Sequence, residues 1–173
     1  MMSRMFVEDS LDHHLVHEDP HPIYMGELPA NWADIPARVV VNMCGVYPSG
    51  DPDGRLVLGM PLLDVLDRSM SPTRENLERF LASVHALAGQ QASYWHCHAG
   101  INRSGLAVAS YLHLYRGMEI SKAIAHLREK RSEMVLCNHL FEGLLREWYG
   151  GPDEQEFQRF NLATYLKERE GRR

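Results

Sequence analysis

Two periods of hydrophobic position alternate along the chain, and the switch between them sketches its secondary structure. Ile23-Tyr24-Met25 is a short apolar run ending at Gly26, and Arg38-Val39-Val40-Val41-Asn42-Met43 holds three successive β-branched residues. Both predict strands, the second a buried one. Leu56-Val57-Leu58 predicts another, set off by the turn-forming Asp51-Pro52-Asp53-Gly54. Pro61 to Met70 shows no period and reads as a loop. The period then lengthens to that of a helix. Leu77, Phe80, Leu81, Val84 and Leu87 recur at helical spacing, with Ser71 as the expected N-cap, Pro72 in the first turn and Gly89 as the stop. Residues 92–96 form a further short strand candidate that runs straight into Cys97. Residues 104–116 predict a helix closed by Gly117. Two more helices are expected, over about 121–130 with Ile124 and Leu127 inward, and over about 138–149 with Phe141, Leu144, Leu145 and Trp148 inward.

The ends depart from this pattern. Residues 1–22 are polar, acidic and His-rich without a clear period, and are expected to be an arm. After Gly150-Gly151-Pro152, residues 151–173 carry Phe157, Phe160 and Tyr165 on an expected helical extension, which leaves 23–150 as the domain. Early strands followed by helices, with one strand–loop–helix unit, predict a single α/β domain whose central mixed or parallel sheet is flanked by helices. A length of 173 residues suits one such domain.

Composition narrows the function. With 45% hydrophobic and 24% charged residues the chain falls outside the disordered and fibrous classes. A net charge of −5 gives no general attraction to nucleic acid or anionic lipid, so any phosphate-binding surface has to be local. No apolar run approaches the ~20 residues of a membrane span, and acidic residues interrupt the N-terminus before a signal peptide could form. Cys44, Cys97 and Cys137 are too few and too scattered for a disulfide framework, which points to a reducing, cytoplasmic setting. Asp12-His13-His14, His17-Glu18-Asp19 and His21 are metal-capable but match no ligand spacing, so they are expected to be solvated and no metal or other cofactor is called for.

The chemistry lies in Cys97-His98-Ala99-Gly100-Ile101-Asn102-Arg103, between the strand ending at His96 and the helix beginning at Ser104. A loop there can turn its backbone N–H groups inward, making an anion nest at the positive end of the helix. Gly100 permits the tight turn, and Arg103 supplies a planar fork for two phosphate oxygens. The same surroundings lower the pKa of a thiol, and a thiolate beneath a bound phosphate is a nucleophile in line with phosphorus.

The string from His96 to Gly105 resembles the His-Cys-x-x-Gly-x-x-Arg-(Ser/Thr)-Gly signature of the cysteine-dependent protein tyrosine phosphatases, most of all their small dual-specificity branch. Tyr24 to Pro29, Val40-Val41-Asn42, and Arg131 through Asn138 and Phe141 also look like parts of that family, so the likeness spans Ile23 to Tyr149. It implies that Cys97 attacks phosphorus while Arg103 and the phosphate loop, His98, Ala99, Gly100, Ile101 and Asn102, hold the oxygens. It further implies that Ser104 eases departure of the thiolate and that His96 orients the loop. Family members carry a general-acid Asp on a loop ahead of a long helix. Here Asp64 and Asp67 lie 33 and 30 residues upstream of Cys97, and Leu58-Gly59-Met60-Pro61-Leu62-Leu63-Asp64 favours Asp64. The expected partners are phosphotyrosine proteins, with phosphoserine and phosphothreonine as further candidates.

Positions 98, 99, 101 and 102 hold no Lys or Arg, which disfavours highly charged inositol lipids. Asn102 directly before Arg103 also occurs in RNA 5′-triphosphatases of the same superfamily, the enzymatic alternative. The missing basic stripe argues against that alternative. A non-catalytic phosphate-binding module is the remaining one. A low-pKa Cys97 is oxidisable, with Cys44 or Cys137 as a conceivable resolving thiol.

Overall fold

Val39, Val40 and Val41 are all fully buried because the strand they form has a neighbour on each side and a core on each face. The computed structural model describes residues 11–150 and Lys167. Its five strands are β1 (His13–His17), β2 (Ile23–Gly26), β3 (Val39–Asn42), β4 (Leu56–Gly59) and β5 (Ser93–His96). They lie in the order β1-β2-β5-β3-β4, with β1 antiparallel to β2 and every other pair parallel. The sheet is therefore mixed, within a single α/β domain.

The two-residue period of the strands divides the core. Val39, Val41 and Trp95 face one side, where they share a cluster with residues from α1 (Arg74–Ala88), α2 (Arg103–Arg116), α3 (Ile120–Lys130) and α4 (His139–Tyr149). Val40 and Tyr94 face the other side, closed by Trp32, Ile35 and Ala37 around a short 3₁₀ turn. Helix α2 is buried from Ser104 through Leu112, so the helix that follows the cysteine loop runs through the middle of the molecule. Gly117 ends it in the left-handed conformation at φ 67°.

Several expectations shift. The N-terminal segment expected to be an irregular arm contains β1, an edge strand in which only Val16 is buried. Helix α1 is capped by Thr73, whose hydroxyl accepts from Asn76 N at 3.2 Å. Ser71 instead closes the 3₁₀ turn Arg68–Met70. The inward stripe of α1 is Leu77, Leu81, Val84 and Ala88, leaving Leu87 on its flank at 56% exposure. Phe157, Phe160 and Tyr165 lie outside the described residues.

Register sets up the site. Gly26 and Asn42 both pair with His96, and Gly59 pairs with Asn42, so four parallel strands end level with one another. The segments that follow them, from Glu27, Met43, Met60 and Cys97, gather at this carboxyl edge, where open α/β sheets place their ligands.

Candidate active site

Each carbonyl from His96 to Asn102 has a partner outside the loop's concave side. His96 O accepts from Met43 N, Cys97 O from His96 Nδ1, and His98 O from Leu28 N. Ala99 O and Gly100 O accept from the Arg131 guanidinium at 3.0 and 3.3 Å. Ile101 O accepts from Leu136 N, and Asn102 O from Leu106 N in the first turn of α2. In a planar trans peptide the N–H points opposite the C=O, so carbonyls drawn outward turn the amides inward. The amides of Gly100, Ile101 and Ser104 accordingly point at the Cys97 thiol.

Cys97 is 2% exposed. Burial alone pushes its thiol up, but the Ser104 hydroxyl, 3.4 Å from Sγ, and those three amides outweigh burial and hold it below the ordinary thiol value. The loop turns at Gly100, where φ is +67° and a Cβ would run into the backbone of Gly26. Leu136 also sits at positive φ, 60°, with its N–H on Ile101 O. Backbone strain at a non-glycine residue is thus spent where it orients the loop. His96 is fully buried. Desolvation lowers its pKa, so it stays neutral and its Nδ1–H donates to Cys97 O at 3.2 Å.

Arg103 opens α2 beside the loop. Its guanidinium donates to Leu62 O at 3.3 Å, while its Nε is buried without a hydrogen-bond partner. Leu62 belongs to the segment carrying Asp64, whose two carboxylate oxygens accept from the side-chain amides of Asn102 (3.0 Å) and Asn138 (2.9 Å). Asp67 is engaged elsewhere: it caps the 3₁₀ turn, accepting from Ser69 N and Oγ. The Ser69 hydroxyl holds its carboxyl below the usual range. The fold therefore brings Asp64 to the phosphate loop and leaves Asp67 occupied in its own turn. His98 and Ala99 are exposed, whereas Ile101 and Asn102 are half-buried. Val46 and Tyr47 after β3, and Leu63 and Leu66 after β4, are exposed apolar side chains.

Cys44 and Cys137 are free thiols. Burial pushes the Cys44 thiol up. Cys137 Sγ lies 3.5 Å from Asn102 Oδ1.

Three participants escaped sequence reasoning. Asn138 both caps α4, accepting from Leu140 N and Phe141 N, and donates to Asp64. Its position directly ahead of an apolar helix could have revealed the cap, though not the bond to Asp64. Arg131 and Asp12, whose carboxylate pairs with it at 2.7 and 2.9 Å, stand 119 residues apart, and no local pattern joins them. A buried thiolate in a nest of amides, with a guanidinium and a carboxylate on adjoining segments, can bind a tetrahedral oxyanion and attack its central atom.

Residues 34–150 match the family described as dual specificity phosphatase, catalytic domain. No curated protein sequence matches the chain significantly. Among solved structures, human DUSP28 is similar over 80% of this chain and 93% of its own, with 19% identity and a TM-score of 0.65. Tk-PTP in its active form is similar over 80% and 96%, at 20% identity and TM-score 0.62. PTPMT1 in complex with PI(5)P is similar over 80% and 94%, at 21% identity and TM-score 0.60. At these identities the likeness to the solved structures is one of fold.

Proposed function

The chain belongs to the dual specificity phosphatase catalytic-domain family and is a phosphatase of the cysteine-dependent class, and from that premise we propose that it dephosphorylates phosphotyrosine, and phosphoserine or phosphothreonine, on proteins. The observation that carries the chemistry is the buried Cys97 thiol, 3.4 Å from the Ser104 hydroxyl and faced by the amides of Ser104, Ile101 and Gly100, which together outweigh burial and lower its pKa. In the first step Cys97 Sγ forms a bond to phosphorus while the ester P–O bond breaks, and Asp64 delivers a proton to the departing oxygen. Arg103 and the loop amides hold the three equatorial oxygens throughout. In the second step the Asp64 carboxylate takes a proton from water, whose oxygen displaces Cys97 from phosphorus. The Ser104 hydroxyl, 3.4 Å from Sγ, donates to the leaving thiolate. Neither step calls for a metal or another cofactor.

Two features support monoester phosphoproteins as substrates. Loop positions 98–102 carry no Lys or Arg for a second phosphate, and the adjoining segments present Val46, Tyr47, Leu63 and Leu66 to solvent. Exposed apolar side chains on those segments suit an aromatic ring or a peptide more than a polyphosphate. Asn102 has its own use in this chain, as a donor to Asp64, which removes the main reason to read it as a triphosphatase mark.

The test is phosphate release without added metal from a phosphotyrosine peptide, a phosphothreonine peptide, a 5′-triphosphate RNA and phosphatidylinositol 5-phosphate. Greater kcat/KM on the peptides is expected. Release confined to the RNA or to the lipid would overturn the protein-substrate reading. Loss of peptide turnover in Asp67→Ala with full turnover in Asp64→Ala would overturn the acid assignment.

A further inference from the structure

Arg131 is a cation with 2% of its side chain exposed, yet it touches no part of the reacting thiol. Its Nη2 donates to Ala99 O at 3.0 Å and its Nε to Gly100 O at 3.3 Å. Those two carbonyls belong to the peptide units whose other ends are the N–H groups of Gly100 and Ile101, both directed at Cys97. A planar peptide cannot turn one end without the other. Whatever fixes those carbonyls therefore fixes two of the donors that stabilise the thiolate and would hold phosphate oxygens.

Arg131 is fixed in turn from the N-terminal side. Asp12 takes both Nη atoms in a bidentate pair at 2.7 and 2.9 Å, and His14 Nδ1 accepts from Nη1 at 3.0 Å. The Asp12 backbone is clamped to the end of β2, because Glu27 N donates to Asp12 O at 3.0 Å and Asp12 N donates to Glu27 Oε1 at 3.1 Å. A guanidinium fork engaged on one side by a carboxylate and on the other by two carbonyls has little freedom to rotate. We propose that Asp12 and Arg131 are positioning residues that hold the phosphate loop in its anion-binding conformation, so that Asp12, directly ahead of β1, is part of the active-site apparatus. Asp12 lies outside residues 34–150, the stretch that matches the family. The proposal rests on the reading of Cys97 as a thiolate nucleophile.

The experiment follows Cys97 itself, through the pH dependence of its alkylation by iodoacetamide, located by peptide mass spectrometry, and its protection by orthovanadate. Wild type, Asp12→Ala, Arg131→Ala and the double variant are compared after a cooperative melt shows each to be folded. Asp12→Ala is expected to raise the alkylation midpoint by about one pH unit and to weaken vanadate protection about tenfold, the scale of one charged hydrogen-bond network. The double variant is expected to match Arg131→Ala alone, because Asp12 acts through Arg131. A folded Asp12→Ala protein with wild-type midpoint and protection would overturn the proposal, as would additive effects in the double variant. If Asp12→Ala does not fold, Asp12→Asn removes the charge with nearly the same shape, and an unchanged midpoint there overturns it equally. Neither readout needs turnover, so a protein that shows these shifts but hydrolyses no phosphopeptide would sink the substrate reading and leave this one standing.

Discussion

Replacing Gly100 by Ala adds one methyl group at the point where the phosphate loop rests on β2. Two costs can be worked from the structure. At φ +67° an L-residue pays about 1–2 kcal/mol for the left-handed conformation. The new Cβ would also stand 2.8 Å from Gly26 Cα and closer still to its carbonyl. Carbon–carbon contacts are favourable only near 3.5–4.0 Å, so the loop has to retreat by roughly 1 Å. Gly26 has no room to yield, since its own position is packed by the Tyr94 hydroxyl and Asp12 O. A 1 Å misplacement of binding groups can cost on the order of 10²-fold in rate. We expect Gly100→Ala to lower kcat/KM on a phosphotyrosine peptide by about that factor while the protein remains folded, because the burden falls on a loop and not on the core. Steady-state kinetics beside a thermal melt separates the two effects. Wild-type kcat/KM in the folded variant would refute the reasoning that this contact sets the loop.

Three other substitutions probe separate parts of the account. Asn102→Ala removes one of the two amides on Asp64 and should imitate Asp64→Ala, slowing a poor leaving group by up to ~10²–10⁴ but an activated aryl phosphate less; equal slowing of both substrates would count against Asn102 acting through the acid. Ser104→Ala deletes the hydroxyl that lowers the Cys97 pKa, so the acid limb of kcat/KM should move to higher pH, since the thiolate then forms only at higher pH; an unmoved limb contradicts that. Glu142 is 1% exposed between Arg128 (2.9 Å) and Arg146 (3.0 Å), so Glu142→Gln should cost about 2–4 kcal/mol in denaturant unfolding with the Cys97 alkylation midpoint unchanged. A loss below about 0.5 kcal/mol would show that the pair of arginines does not depend on this carboxylate.

What the sequence disclosed follows from the range of the forces involved. The strand ending at His96, the loop and α2 are contiguous, and each is written in local chemistry: aromatic residues in the strand, Gly100 at the turn, Gly117 at the helix end. Strand β1 was not legible because an edge strand with one buried residue has no alternation to display. The start of α1 was displaced by two residues because Ser71 and Thr73 are both good caps. A neighbouring 3₁₀ turn, itself capped by Asp67, claimed the serine. The distinction between Asp64 and Asp67 rests on amides 38 and 74 residues away from Asp64. The Asp12–Arg131 pair is longer-ranged still. Such contacts come from topology, which places the ends of β2, β3, β4 and β5 side by side.

The central claim is a covalent phosphocysteine at Cys97. The most direct measurement is acid quench of the enzyme during turnover of a radiolabelled phosphotyrosine peptide, followed by location of the label in the protein. Label is expected on Cys97 of the wild type, more of it in Ser104→Ala because the second step is slowed, and none in Cys97→Ser. Phosphate release with no label on Cys97, or turnover surviving in Cys97→Ser, would contradict it.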